Sequence, residues 1–152
     1  LLDIYEQALQ EIKRTIKTIP ADWLLKEIDT DTTDENCKSF QAIITHVVYA
    51  GYGYATSIAN NTGRALERPA KAFYTDLPSY ASAIDKMFAY TADVFASFND
   101  TMMEEYDEAL KIKTNWGQRY DIEQLMEHAI VHVMRHKRQI KKLMQEHNVL
   151  NN

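Results

Sequence analysis

One long amphipathic segment near the end of the chain constrains the fold more than any other feature, because histidines interrupt its apolar stripe. Between Ile122 and Leu143 apolar residues recur at helical spacing, and His128, His132 and His136 follow one another at intervals of four residues. Residues four apart on an α-helix are separated by about 6 Å along the axis and about 40° around it. Two adjacent histidines of this series can therefore chelate one ion, whereas His128 and His136, about 12 Å apart along the axis, cannot.

Helical geometry also predicts which of these histidines face the core. His132 and His136 fall inside the apolar stripe, and His128 lies about 40° off it in the other direction. The stripe itself consists of Ile122, Leu125, Ala129, Ile140 and Leu143. The helix differs from that of the zinc proteases, because Val133 stands where their mechanism needs a glutamate base. From this helix alone two interpretations remain open, a metal-binding pair or core histidines that are hydrogen-bonded and inert.

The composition excludes several classes of protein. The 152 residues are 45% hydrophobic, which predicts one domain over residues 1–152 with a sizeable core. The net charge of −5 argues against a nucleic-acid-binding protein that uses a basic surface. The first residues resemble no signal peptide, and no stretch is apolar enough to span a membrane. The single cysteine, Cys37, excludes an intrachain disulfide and leads us to expect a reducing, cytoplasmic location.

Four segments have helical periodicity, and glycine and proline are scarce, which favours long helices. We expect the first helix over residues 2–19, the second over 39–60 with Ser39 as N-cap, the third from Pro78 to Phe98, and the fourth from an Asp121 cap to about His147. Gln124 is placed to complete a capping box with Asp121. Residues 110–115 alternate over a short extended stretch at most, followed by a turn at Trp116 and Gly117. The pattern predicts an all-α four-helix bundle with long connections.

The second helix carries a further histidine, His46, on its apolar stripe. Glycine inside a helix costs about 0.5–1 kcal/mol relative to alanine, so Gly51 and Gly53 require a reason. Close helix packing and space for a ligand above His46 are both consistent with the sequence. Bundles build metal sites from side chains on facing helices, so an inward His46 can meet the histidines of the last helix.

Two of these segments resemble the DinB-like superfamily of four-helix bundles, which includes bacillithiol transferases and mycothiol-dependent maleylpyruvate isomerases. Residues 39–48 are similar to the second-helix pattern of that superfamily, in which a histidine follows an apolar run. Residues 128–140 match its last-helix pattern H-x3-H-x3-H-x-x-Q-I, and Trp116-Gly117 before that helix also has family character. Lys137-Arg138 stand where many members have Arg-Gly, which weakens the match to any one subfamily.

The resemblance implies a divalent metal ion, with zinc or nickel favoured, held by His46, His132 and His136. Three nitrogen ligands leave a coordination position open for water or substrate, as in catalytic sites. We expect that His128 is not a ligand. Candidates for a second shell or a substrate pocket are Tyr49, Gly53, Tyr54 and His128, and the sequence identifies no catalytic residue.

Three functional hypotheses follow from this reading. The first is a metal-dependent enzyme, either a transferase that joins a small thiol to an electrophile or a related hydrolase. The second is a metal-binding protein without turnover that serves stress response, and the third is a structural helical dimer with inert core histidines. We expect a small-molecule substrate and a second copy of the chain as partners, but no nucleic acid and no membrane. Because free histidine has a pKa of about 6.5, we expect metal affinity to fall as the pH drops through about 6.

Overall fold

The computed structural model describes residues 1–150, and their architecture is a bundle of four α-helices with one small hairpin. The helices are α1 (Leu2–Ile16), α2 (Phe40–Asn61), α3 (Leu77–Phe95) and α4 (Ile122–Glu146). Strands β1 (Ile112–Lys113) and β2 (Arg119–Tyr120) pair in antiparallel register. Short 3-10 turns at Ala21–Trp23, Glu35–Cys37 and Asp100–Met102 lie in the connections. The predicted all-α bundle with long connections is thus confirmed.

The starts of α2 and α4 are fixed by side-chain caps at the positions that the sequence predicts. The hydroxyl of Ser39 accepts a hydrogen bond from the backbone N–H of Ala42 at 3.0 Å. Asp121 and Gln124 form the reciprocal capping box at the start of α4. Such caps satisfy N–H groups that have no partner within the helix. The start of α4, and with it the direction in which its histidines point, is therefore set locally.

Two helix ends differ from the prediction. Helix α1 ends at Ile16 and not at residue 19, because the next residues form tighter i→i−3 bonds, from Thr18 to Thr15 and from Ile19 to Ile16. Helix α3 ends at Phe95 and not at residue 98 for the same reason, with a bond from Phe98 to Phe95. Apolar spacing alone does not distinguish a last α-turn from a following 3-10 turn.

Helices α1 and α2 each pack against both α3 and α4, and the core lies between them. The side chains buried most completely include Tyr5, Ile12, Phe40, Ile43, Ile44, Ile84 and Met87. Gly51 lies where α2 approaches α1 and α3: a Cβ atom there would come within 2.9 Å of the Tyr5 hydroxyl and within 2.8 Å of the Met87 methyl carbon. Close packing therefore explains Gly51. Within residues 1–150, no helix has the length and apolar character needed to cross a membrane.

Candidate metal centre

Three histidines from two helices converge at the interface of α2 and α4. The Nε2 atom of His132 lies 2.9 Å from Nε2 of His46 and 3.2 Å from Nε2 of His136. One ring nitrogen from each residue lies within 4.8 Å of those of the other two. His136 is buried, and His46 and His132 are half-buried. The structure thus brings together the three histidines that the sequence places on facing apolar stripes.

Apolar neighbours on both helices hold these rings at the edge of the core. On α2, Ile43 and Val47 flank His46 and are almost completely buried. On α4, Ala129 and Val133 do the same for His132. Because these neighbours anchor both helix faces, the imidazoles are directed toward one another rather than into solvent.

Hydrogen bonding alone cannot satisfy the central nitrogen of this cluster. His132 Nε2 lies within hydrogen-bond distance of both neighbouring rings. A ring nitrogen holds either one proton or one in-plane lone pair, so it makes a single well-directed hydrogen bond. One of the two contacts is therefore unsatisfied in every combination of tautomers. The other nitrogen of this ring, Nδ1, is buried and has no hydrogen-bond partner among the described residues.

The tautomer of His136 is set by Gln139, one helical turn further along α4. His136 Nδ1–H donates to the Gln139 side-chain carbonyl oxygen at 2.8 Å. A proton on Nδ1 leaves the lone pair on Nε2, which faces the cluster. Metal-bound histidines usually have such an outer partner, which fixes the ring orientation and raises the basicity of the ligand. In the sequence, Gln139 stands out only as part of the last-helix pattern, although its spacing of three from His136 was a usable signal.

The electrostatic environment keeps the three rings neutral. Burial is the main cause that lowers the pKa of His46 to about 4 and that of His132 to about 3. The positive charge of a protonated His136 lowers both pKa values further. Burial also lowers the pKa of His136, opposed by the hydrogen bond to Gln139 and by the carboxylate of Asp34. A metal-binding imidazole must be neutral. At neutral pH the cluster thus presents lone pairs without first having to lose protons.

His128 lies outside the group of three converging histidines. Its ring stacks on Trp116, with ring centroids 5.1 Å apart and an interplanar angle of 22°. It also lies edge-on to Tyr54, at 5.6 Å between centroids. Tyr54 in turn lies 5.8 Å from the ring of His132, and the His128 and His132 rings stack with their centroids 6.4 Å apart. These aromatic rings form one wall of the site.

A cleft of about 310 Å³ lies beside this aromatic wall. We refer to it as the Arg68 cleft; its lining includes Ala50, Gly53, Tyr54, Arg68, Lys113 and Trp116. A Cβ atom on Gly53 would come within 2.7 Å of the Arg68 guanidinium carbon, so the absent side chain makes room for Arg68. The guanidinium donates through Nε to the Tyr49 carbonyl at 3.1 Å and lies 3.3 Å from the centre of the Tyr49 ring.

Sequence reasoning missed Arg68, because the connection between α2 and α3 has no periodicity that would place it. The sequence left two explanations for Gly53, close helix packing and space for a ligand. The structure shows instead that Gly53 accommodates an arginine from this connection. Trp116 was predicted as part of a turn and noted in the family resemblance, but no sequence signal showed that it reaches His128.

Two other features of the structure lie outside the group of three converging histidines. A second cleft, of about 690 Å³, lies between α1 and α4 and includes Glu11, Arg14, Lys137 and Lys141 in its lining. Cys37 is half-buried, with Sγ 3.6 Å from a carboxylate oxygen of Asp34. Burial raises the pKa of the Cys37 thiol, which keeps it protonated and is unfavourable for a nucleophile.

Comparison with known proteins gives one family match. The sequence model of the DinB family matches residues 1–147. No curated protein and no solved structure shows significant similarity to the chain. The family match therefore spans all four helices and the three converging histidines, and it names no substrate.

Proposed function

The chain belongs to the DinB family, and from this premise we propose that it binds one divalent metal ion through His46, His132 and His136. The observation that carries the proposal is the convergence of three ring nitrogens, the central one of which cannot satisfy both neighbours by hydrogen bonding. A cation accepts a lone pair from each neutral imidazole, so it would relieve this deficit. Imidazole ligands suit zinc, nickel, copper or iron, and we favour zinc or nickel.

We further propose that the protein is a metal-dependent enzyme that transfers a small thiol or hydrolyses a small molecule. When bound, the ion would supply Lewis acidity and lower the pKa of a bound water or thiol. The residues of the chain orient and shield the site: Gln139 holds the His136 ring, and Ile43 and Val47 exclude water from the core side. The support for catalysis is that His46 and His132 are only half-buried and that a cleft is lined by Tyr54, whose ring lies 5.8 Å from that of His132.

The second hypothesis is a metal-binding protein without turnover, which would serve stress response. It predicts the same metal stoichiometry but no reaction at the site. The third hypothesis, a structural homodimer with inert histidines, is less favoured because the buried Nδ1 of His132 has no partner among the described residues. Inert core histidines are usually hydrogen-bonded at both ring nitrogens.

Metal analysis of protein purified without an affinity tag tests the ligand proposal. We expect one zinc or nickel ion per chain in the unmodified protein and none in His132→Ala or His136→Ala. The matched control is His128→Ala, which removes an imidazole from the same helix outside the cluster and should keep the metal. If His128→Ala loses the ion as completely as His132→Ala, the ligand set is wrong.

A turnover assay separates the enzyme from the metal-binding protein. The zinc-loaded protein would be incubated with cysteine and 1-chloro-2,4-dinitrobenzene to follow transfer, and with 4-nitrophenyl acetate to follow hydrolysis. Acceleration that is lost in His132→Ala supports an enzyme. Stoichiometric metal with rates equal to those of the His132→Ala variant, for these and other electrophiles, favours the second hypothesis.

A further inference from the structure

The Arg68 cleft has cationic charge without a matching anion. Arg68 and Lys113 are the charged residues in its lining, and both are cationic, although the whole chain has a net charge of −5. Among the described residues, no carboxylate forms an ion pair with the Arg68 guanidinium, in contrast to Arg64, which pairs with Asp93. The guanidinium is held in place through the Tyr49 carbonyl and ring. An arginine fixed by a neutral carbonyl has donors left for an external ligand.

A second donor without a partner lines the same cleft. Tyr54 is 8% exposed, and its hydroxyl makes no hydrogen bond to another described residue, whereas those of Tyr5, Tyr80 and Tyr90 do. A tyrosine hydroxyl carries one proton that it can donate to an acceptor. The ring is buried, but the hydroxyl is not among the buried polar atoms that lack a partner, so it is accessible from the cleft.

The position of the cleft connects it to the histidine cluster. Ala50 lies one helical turn beyond His46 on α2, and Tyr54 lies one turn further. One turn rises about 5.4 Å along the axis. The Tyr54 ring contacts both the cleft and the His132 ring. A small molecule seated in the cleft would therefore contact Tyr54, whose ring centroid lies 5.8 Å from that of His132.

We propose that the Arg68 cleft binds the anionic group of a small molecule, a carboxylate or a phosphate ester, with Arg68 as the specificity-determining residue. This inference rests on the proposed function, since it assigns the substrate class of the same site. The planar fork of Arg68 matches the geometry of such an anion, and the Tyr54 hydroxyl adds a neutral donor. Trp116 supplies an apolar face for the remainder of the molecule.

Binding of matched probes tests the proposal directly. Benzoate and phenyl phosphate carry the two anions, and benzamide is the neutral counterpart of benzoate. Titrations are followed by the fluorescence of Trp116 in the Trp23→Phe background and by calorimetry, with zinc and with chelator. We expect one of the two anions to bind with a Kd in the millimolar range or below, and benzamide to bind at least about tenfold more weakly, because charge-assisted hydrogen bonds are lost.

The variants separate recognition from structure. Arg68→Gln should weaken anion binding by at least about tenfold. Tyr54→Phe, which removes only the hydroxyl, should weaken it by a smaller factor. The matched control is Lys71→Gln, which removes a cation from the same connection but not from the cleft lining, and should bind as the unmodified protein does. Thermal melts of each variant, together with Arg68→Lys, identify any loss of binding that merely follows unfolding.

Each outcome decides the proposal. Equal binding of benzoate by the unmodified protein and by a folded Arg68→Gln variant would overturn it, as would equal binding of benzamide or no binding of either anion. Anion binding that requires zinc but not Arg68 would also overturn it, while leaving the metal proposal intact. Arg68-dependent binding in protein that takes up no zinc would support the cleft and reject the metal centre.

Discussion

Acidification is expected to destabilise the metal-free protein through its buried histidines. The pKa of His132 in the folded state is about 3 and that of His46 about 4, so both rings stay neutral from about pH 7.5 to 5.5. In the unfolded chain the same rings have a pKa of about 6.5 and take up protons over this range. Because the unfolded state binds more protons, the free energy of unfolding falls as the pH decreases through the unfolded pKa.

The size of this loss follows from the pKa difference. For His132, lowering the pH from about 7.5 to 5.5 removes about 1.4 kcal/mol, because only the unfolded ring becomes protonated. His46 contributes less, since its ring is more exposed and solvent screens its charge. Burial shifts the pKa of His136 in the same direction. A total of about 2–3 kcal/mol would lower Tm by roughly 4–12 °C in a domain of this size.

A bound metal ion should remain stabilising at the lower pH. An ion at 100 times its Kd adds about 2.7 kcal/mol to the free energy of unfolding. Because the folded rings of His46 and His132 stay neutral to about pH 4, protons do not compete with the ion at these two rings at about pH 5.5. The metal-dependent rise in Tm should persist there and disappear only near pH 4. The pKa of free histidine led to the expectation that metal affinity is lost near pH 6. Because burial lowers the pKa of the rings, we now expect that loss at a lower pH.

Thermal melts with zinc and with chelator at about pH 7.5, 5.5 and 4 test this reasoning. His132→Gln should reduce the acid-induced loss of the metal-free protein by about 1.4 kcal/mol. His147→Gln, which removes an imidazole at the end of α4 outside the cluster, is the matched control. Identical melts with zinc and with chelator at about pH 7.5 would reject the metal centre. An acid-induced loss that His132→Gln leaves unchanged would reject the assignment of depressed pKa values.

Two further predictions address the neighbours of the site. Gln139→Leu should weaken zinc binding by about 10–100-fold, because His136 loses the partner that orients it. A chelator-competition titration measures the affinity, and Gln145→Leu on the exposed face of α4 is the control that should leave it unchanged. Equal affinities of the two variants would show that Gln139 has no orienting role. Gly51→Ala should lower the free energy of unfolding, measured in urea, by about 1–3 kcal/mol, because the added methyl group would overlap Met87. Ser57→Ala on the exposed part of α2 is the control. An unchanged urea midpoint for Gly51→Ala would mean that α2 and α3 can move apart without a cost in free energy.

The sequence predicted best those features that depend on the geometry of one helix alone. The stripe of α4 depends only on helical geometry, so the inward position of His136 followed from residue spacing, and the capping box followed from Asp121 and Gln124. The meeting of His46 with α4 needed one further assumption, that the helices form a bundle. The role of these histidines as ligands stays a prediction.

Features that depend on contacts between distant segments were not predictable in the same way. Gly51 is explained by Met87 on α3 and Gly53 by Arg68 in the connection, and no pattern within α2 distinguishes these two cases. The depressed pKa values of the histidines likewise result from burial in the assembled core. The pKa of free histidine therefore does not describe these buried rings.

The histidine cluster joins two helices that are far apart in the chain. His46 and His132 are separated by 86 positions, and α3 lies in the intervening segment. An ion held by both would act as a reversible cross-link that closes this loop, and it would have to dissociate before α2 and α4 could separate. Unfolding of the loaded protein would then be limited by the rate of metal release, so its lifetime in the presence of a protease would depend on the dissociation rate of the ion more than on the packing of any single helix.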